Sequence, residues 1–294
     1  MSLSNPHFFV TGCSGFLGRT LIRELFANDP LVQLTLLEHH TKIILDEEYA
    51  HRATIVHGSF EDETVLTEAQ RGIDVVIHLA AMTHTKNNEL YEKINQGGTK
   101  TLLQSGAMAG VKHFVFVSTT ALGESCGAYG ESKFHAEKIV MTGNVPYTIV
   151  RFAEVYGGAT NEGIERLVGL VKRYPLIPAV MDTYLTPVQI DDAMSALRVA
   201  IYRTATNNIY VIAGPEKLRF VDAVQIIASA FGRRVVVIPI PQLLLRAIRS
   251  GMIFVSAPDQ IDRLICEKDY DIRLAMSDLN FSPRTLYDGL RGTR

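Results

Sequence analysis

The residues best suited to chemistry in this chain are a tyrosine and a lysine four positions apart, in the run Tyr129-Gly130-Glu131-Ser132-Lys133. On a helix that spacing places both side chains on one face, with an ammonium beside a phenol. A free phenol titrates near ~10, so exchanging a proton near neutrality requires a neighbouring positive charge. Lys133 is one source, and the ring of an oxidised nicotinamide is another. A lone Tyr-x-x-x-Lys is usually an ordinary surface pair, and here its company sets it apart. An apolar run, His113-Phe114-Val115-Phe116-Val117, leads into the hydroxyl cluster Ser118-Thr119-Thr120 shortly before it. A polar cluster at the carboxyl end of a central parallel strand sits on the rim where such sheets bind ligands.

The element that must serve this pair lies near the start of the sequence. Phe8-Phe9-Val10-Thr11-Gly12-Cys13-Ser14-Gly15-Phe16-Leu17-Gly18 is an apolar strand that runs into glycines at every third position and then into a helix. Gly12 suits a tight turn, Gly15 a close approach of backbone to ligand, and Gly18 the packing of helix on strand. Amides at the helix start favour an anion such as a pyrophosphate. A second apolar strand, Val32-Gln33-Leu34-Thr35-Leu36-Leu37, ends in Glu38, twenty residues beyond Gly18 and placed to grip a ribose 2′-hydroxyl. A dinucleotide is therefore expected. NAD is favoured because Glu38 would repel a 2′-phosphate, while His39, His40 and Lys42 leave NADP open.

The bulk properties exclude several classes. The chain has 294 residues, 47% hydrophobic and 20% charged, with a formal net charge of -2. That is globular composition without a basic footprint for nucleic acid. Cys13, Cys126 and Cys266 have no metal-ligand spacing and leave an odd thiol in any pairing, which suits a reducing cytoplasm. The expectation is that all three are small apolar filler; for Cys126, three residues before Tyr129, the alternative is a redox-sensitive thiol near the pocket, disfavoured because nothing nearby in sequence would lower its pKa. His39, His40, His51 and His57 have no ligand-like spacing either, so no metal is expected. No amino-terminal apolar run resembles a signal peptide. The greasiest later stretch, residues 235–255, is broken by Pro239, Pro241, Arg246 and Arg249, so it is not expected to span a bilayer.

Strand and helix patterns alternate from residue 8 to about residue 152, which implies crossover units and a parallel sheet. The runs 53–58 and 74–81 are nearly continuous in apolar residues, as expected where helices cover both faces. Helices are expected at 16–26, 88–109, 191–202 and 220–231, with a strand at 208–212 and a broken helical segment at 271–289. Prolines punctuate shorter elements after residue 152. The fold class is therefore α/β, a doubly wound parallel sheet of Rossmann type with a smaller carboxyl-terminal lobe. Residues 1–152 would form the dinucleotide-binding core and 153–294 mainly the substrate-binding lobe, with a segment of about 186–212 returning to the core.

Taken together these motifs resemble the short-chain dehydrogenase/reductase superfamily, in its extended branch of NAD-dependent epimerases and dehydratases. Matching segments are Thr11 to Gly18, His78 to Ala81, and Asn95 with Gly98 and Thr99. Further matches are Tyr129 to Lys133, Arg151 with Val155, Tyr156 and Gly157, and Ile190 to Ala193. Their joint order is specific, although each alone is not. The resemblance implies hydride transfer between a nicotinamide and a hydroxyl-bearing sugar carbon, through a keto intermediate. Tyr129 would move the hydroxyl proton, Lys133 would lower the phenol's pKa and hold the nicotinamide ribose, and Thr119 would hydrogen-bond the reacting oxygen, with Ser118 as fallback. Gly12, Gly15 and Gly18 would shape the pyrophosphate loop with Phe16 and Leu17 lining it, and Glu38 would take the adenosine ribose. Leu79, Ala80 and Ala81 would pass along the adenine and pyrophosphate side. The resemblance also implies a dimer through helices flanking the sheet.

Several departures narrow the reading. Thr119 is followed by Thr120 and Ala121 where sugar dehydratases carry an acidic pair, so dehydration is disfavoured. Thr119 and Tyr129 are only ten positions apart, which trims one wall of the substrate pocket. Leu185 stands where the family often has a diphosphate-binding Arg, and Arg263 is a candidate replacement. Gly58-Ser59 replaces Gly-Asp, leaving Ser59 to accept a hydrogen bond from the adenine. Glu154 would touch a sugar hydroxyl or lie in solvent. The expected enzyme is a cytoplasmic sugar-nucleotide epimerase or 4-ketoreductase; the alternative is a non-catalytic dinucleotide sensor or assembly subunit. Turnover lost in Tyr129→Phe with cofactor affinity retained would favour the enzyme.

Overall fold

A computed structural model describes residues 5–158, 163–205, 207–241, 258–268 and 270–292. The amino-terminal portion alternates strictly: β1 (His7–Thr11), α1 (Phe16–Asn28), β2 (Gln33–Glu38), β3 (Ala53–His57), α2 (Glu63–Ala69) and β4 (Val75–His78). After these come α3 (Asn88–Tyr91), a π-helical stretch Glu92–Gly97, α4 (Gly98–Ala109), β5 (His113–Thr119), α5 (Gly127–Met141) and β6 (Tyr147–Phe152). The seventh strand of the sheet, Asn208–Ile212, returns from beyond residue 152 to pair with β6. Every pairing is parallel, and the order from that strand is seventh, β6, β5, β4, β1, β2, β3. The order reverses between β1 and β4, and that switch point opens a crevice at the strands' carboxyl ends.

The pleat explains the apolar runs. Phe8 and Val10 pack on one face with Leu21 and Leu25 of α1 and Leu197, whereas Phe9 faces the other way onto Leu102, Phe114 and Val140. One expectation fails at the sheet's edge: β3 is not covered on both faces, and Ile55 is 38% exposed. Its apolar run reads as an inner strand, but among the described residues β3 pairs only with β2.

A second core belongs to the carboxyl-terminal portion. Ile164, Leu167, Val168 and Val171 of the helix Gly163–Arg173 pack with Ala223, Val224 and Ile227 of the helix Phe220–Ala230, and with Leu286 and Leu290 near the carboxyl terminus. Two-residue strands connect these elements, and such short pairings follow from the proline-punctuated sequence. Arg284 closes the arrangement, donating to both carboxylate oxygens of Asp192 at 2.8–3.1 Å.

The cysteines correct the sequence reading. Cys126 and Cys266 are joined in a disulfide, 140 residues apart in sequence, and only Cys13 is free. Burial pushes the Cys13 thiol up to about 12, so the apolar-filler reading holds for that residue alone. Sequence spacing could not reveal the pairing because it depends on how the carboxyl-terminal portion folds back over α5. Among the described residues no helix is long and apolar enough to cross a membrane. The greasy stretch beyond residue 241, up to 255, lies outside the described residues.

Candidate active site

A cavity of about 1750 Å³ opens at the switch point, roomier than the ~300–1,000 Å³ of an ordinary small-molecule pocket. Gly12, Gly15, Phe16, Leu17 and Gly18 line one end, Ser59 and the Leu79-Ala80-Ala81 segment its flank, and Thr119, Tyr129 and Lys133 its middle. Thus all the residues expected to hold a dinucleotide or to move a proton share one space, with one exception. Glu38 does not line the cavity.

The glycine end is made of backbone. Gly12 turns the chain at a φ of +77°, and a Cβ there would lie 2.6 Å from the Ala80 amide nitrogen. At Gly18 a Cβ would run into the Gly12 carbonyl oxygen, so α1 can begin close against the turn only with glycine. Helix α1 has no side-chain cap and no acidic residue in its first turn, leaving its leading amides to an anion. Deeper in the same space, Ser118 lines the cavity and its buried hydroxyl has no partner among the described residues. A glycine cradle, an uncapped helix start and an orphaned hydroxyl fit a dinucleotide with polar groups at both ends.

Glu38 departs from its expected place. Its carboxylate accepts a 2.6 Å hydrogen bond from the Ile43 amide and lies 3.0 Å from His57 Nδ1, shaping the turn after β2. The cavity rim there is formed by His39, His40, Thr41 and Ser59. Spacing from Gly18 places the end of β2 correctly but leaves the carboxylate's rotamer and partners unspecified.

The floor beneath this end is a fully buried polar relay. His78 hydrogen-bonds Thr11 at 2.7 Å and Thr99 at 3.0 Å, and Thr99 donates to the Asn95 carbonyl. Burial, with the charge of Lys133 second, pushes His78 down to about 3, so it is neutral. Asn95 sits in the π-helical stretch, where an extra residue per turn redirects side chains. Its amide accepts from the Met82 nitrogen at 2.7 Å and donates to Ser132 at 2.9 Å, tying the loop after β4 to α5.

Tyr129 and Lys133 project from α5, both buried. Lys133 Nζ donates to the Val117 carbonyl at 2.8 Å and lies 3.9 Å over the Phe116 ring. Burial pushes its ammonium down to about 7, with the Glu137 carboxylate pulling it back up. Glu137 is itself held bidentately by Arg151 at 3.0 and 2.6 Å. The Thr119 hydroxyl accepts from the Ala121 amide at 3.1 Å.

The other end of the cavity is walled by side chains. Ile164, Leu167, Leu170, Leu185, Phe220 and Leu264 line it. Glu154 lines the cavity half-buried, its carboxylate paired with Lys268 at 2.7 Å and accepting from the Thr186 amide at 3.1 Å. Arg263 stacks on Tyr129, its guanidinium carbon 4.5 Å from the ring centroid, and donates to the Thr83 carbonyl at 3.0 Å. Sequence reasoning did not find the Arg263–Tyr129 and Lys268–Glu154 contacts, since each joins segments more than a hundred residues apart.

A doubly wound parallel sheet, with a glycine-lined turn at its switch point and a tyrosine and lysine buried on α5, is similar to the arrangement of the short-chain dehydrogenases/reductases. Residues 9–127 match the model of the 3-beta hydroxysteroid dehydrogenase/isomerase family. The chain is 28% identical over 203 residues to a ceramide reductase of Caulobacter vibrioides, an alignment covering 66% of this chain and 60% of that protein. It is 23% identical to a UDP-glucose 4-epimerase of Vibrio cholerae, over 97% of this chain and 93% of that one. In fold it is similar to UDP-glucuronic acid 4-epimerase of Bacillus cereus, solved with UDP-glucuronic acid and NAD. That match has a TM-score of 0.75 and 20% identity, over 97% of this chain and 96% of the other.

Proposed function

We propose that this chain is an NAD-dependent oxidoreductase acting at a substrate carbon that carries a secondary hydroxyl or the matching ketone. One observation carries the reading: Thr119, Tyr129 and Lys133 open into the same cavity as the Gly12 turn. Bound there, the dinucleotide would supply the hydride acceptor or donor. The Gly12 to Gly18 turn and the first amides of α1 would hold its pyrophosphate, with Phe16, Leu17, Ser59 and Leu79 to Ala81 along its length. Tyr129 takes the hydroxyl proton in oxidation and returns it in reduction, and Thr119 orients the reacting oxygen. Lys133, its ammonium pushed down to about 7 by burial, favours the phenolate while it stays charged. Glu38 keeps no direct part, so discrimination against a 2′-phosphate rests on the His39 to Thr41 rim. Residues 1–152 hold the cofactor and 153–294 the substrate, with a segment of about 186–212 completing the sheet.

The finer reading is a sugar substrate, as the named 4-epimerases suggest, with the chain acting as a nucleotide-sugar epimerase or 4-ketoreductase. A second reading has a specific observation behind it. The substrate end is apolar, and two of the cations there are engaged, Lys268 by Glu154 and Arg263 by Thr83. Arg166 lines the same end and could meet a diphosphate, while the leucine and isoleucine wall suits an apolar alcohol, in keeping with the ceramide reductase and hydroxysteroid relatives. Incubation with NADH or NAD and two panels, UDP-sugars and long-chain or polycyclic alcohols and ketones, separates the readings by which panel changes NADH absorbance. Tyr129→Phe should lower turnover by ~10²–10⁴ with either panel. Turnover unchanged by that substitution would refute the enzyme reading and return the chain to a dinucleotide sensor or assembly role. A homodimer is part of the same proposal, since α4 and α5 leave Met108, Phe134 and Met141 exposed, and sedimentation tests it.

A further inference from the structure

Arg263 and Tyr129 meet from segments 134 positions apart, and a disulfide joins those same segments. Arg263 lies on the helix Pro258–Ile265, and the chain continues one turn to Cys266, whose amide still donates to the Asp262 carbonyl at 2.9 Å. Cys126 lies three residues before Tyr129, at the start of α5, and is fully buried. The Cys126–Cys266 bridge therefore joins two helical turns at matching offsets, each sulfur one turn from the residue that matters. Gly130 makes room for it, since a Cβ there would lie 2.5 Å from the Cys126 Cβ. At the other end of the contact the guanidinium is braced by the Thr83 carbonyl at 3.0 Å and lies 3.2 Å from His84 Nδ1. The outcome is a planar cation, 4.5 Å from the ring centroid, fixed over the face of the one phenol expected to exchange a proton.

We propose that Arg263 is a positioning residue for Tyr129, a permanent cation that favours the phenolate, and that the Cys126–Cys266 bridge holds it in place. The inference rests on the reading of Tyr129 as the proton-transferring group. A guanidinium retains its charge at every working pH, and it stacks on aromatic faces as an ammonium does not. Lys133 is a weaker source, because burial pushes it down to about 7 and its charge fades as the phenol would begin to ionise. The other titratable groups facing this spot are Tyr91, edge-on to Tyr129 with centroids 6.0 Å apart, His84 against the guanidinium, and the buried Asp262 beside Arg263. The Glu154–Lys268 pair lines the same cavity. Of these, Arg263 is the fixed positive charge on the ring face, and a cation within ~4–6 Å of an acid lowers its pKa by about one to three pH units.

The test needs no substrate. The chain has 11 tyrosines and no tryptophan, so the tyrosinate absorbance difference between the parent and Tyr129→Phe isolates one phenol during a pH titration. The same difference, taken in the Arg263→Gln background, should place that phenol about one pH unit higher, and Arg263→Lys should fall between. Reducing the bridge with dithiothreitol adds two electrons and two protons to give two thiols, the reductant becoming its cyclic disulfide. This should move the parent titration toward that of Arg263→Gln and leave Arg263→Gln unchanged. Coincident titrations in the parent and Arg263→Gln would overturn the role of the cation, and a parent unmoved by reduction would overturn that of the bridge. Should Arg263→Gln fail to fold, Arg263→Lys and the reduced parent still decide. The turnover test on Tyr129→Phe stands apart: its failure removes the enzyme and leaves the titration readable.

Discussion

The two ends of the cavity are built from different materials. At the glycine end the surface is backbone, Gly12 turning at positive φ and α1 opening with free amides, above a relay of buried hydroxyls and a neutral histidine. At the far end the surface is side chain, mostly leucine and isoleucine, with the Lys268–Glu154 ion pair and the exposed Arg166 among them. A backbone surface recognises what all dinucleotides share, whereas a side-chain surface recognises what one substrate has and another lacks. The first end is fixed by local geometry and the second by which distant segments come together, and they should respond differently when disturbed.

The largest contrast is in acid. His78 and His113 are pushed by burial to about 3 and about 4, both below the usual 6.5, so the folded state binds fewer protons than the unfolded one between those values. Stability is therefore intact above pH ~6.5 and falls as pH drops through that window, by about 1.4 kcal/mol per pH unit for each histidine. The loss ends near the folded-state values. Melting temperature measured against pH should show this fall, and His78→Gln should soften it while weakening the glycine end. A flat profile from neutrality to pH ~4 would contradict the buried relay.

A smaller effect separates the ends by substrate. Leu170 lines the apolar wall and is 37% exposed, so Leu170→Lys can be made without emptying the core. For an apolar substrate KM should rise about tenfold with NADH affinity unchanged, the size expected for a lost hydrophobic contact. Improved use of a UDP-sugar by the same variant would show that the wall selects against diphosphates.

How much of this was legible in the sequence follows the same division. The glycine turn, the seven-strand alternation and the placement of Thr119, Tyr129 and Lys133 come from short-range patterns, because period and glycine spacing are local properties. Glu38 shows the limit of that legibility: its position is set by strand length, but its carboxylate is claimed by Ile43 and His57. Leu185 could be read as a missing charge, yet the Lys268–Glu154 pair, the Arg263 stack and the Cys126–Cys266 bridge could not. Each depends on the final course of residues 258–268 over α5 and the strand ends, which no local pattern encodes.

The smallest expected effect returns to Glu38. Because its carboxylate is engaged by Ile43 and His57 and does not line the cavity, Glu38→Gln should change NADH affinity by less than about threefold, the weight of an indirect contact. A tenfold loss would place it back on the ribose.

The account rests on one space holding a dinucleotide at the glycine end, with Tyr129 free of any part in binding it. Fluorescence titration of NADH on the parent, Gly12→Val and Tyr129→Phe tests this directly, with circular dichroism confirming that each is folded. The parent and Tyr129→Phe should bind with nearly equal affinity, and Gly12→Val, with a side chain driven into the Ala80 backbone, should lose at least about a hundredfold. Equal binding by Gly12→Val, or none by the parent, would contradict it.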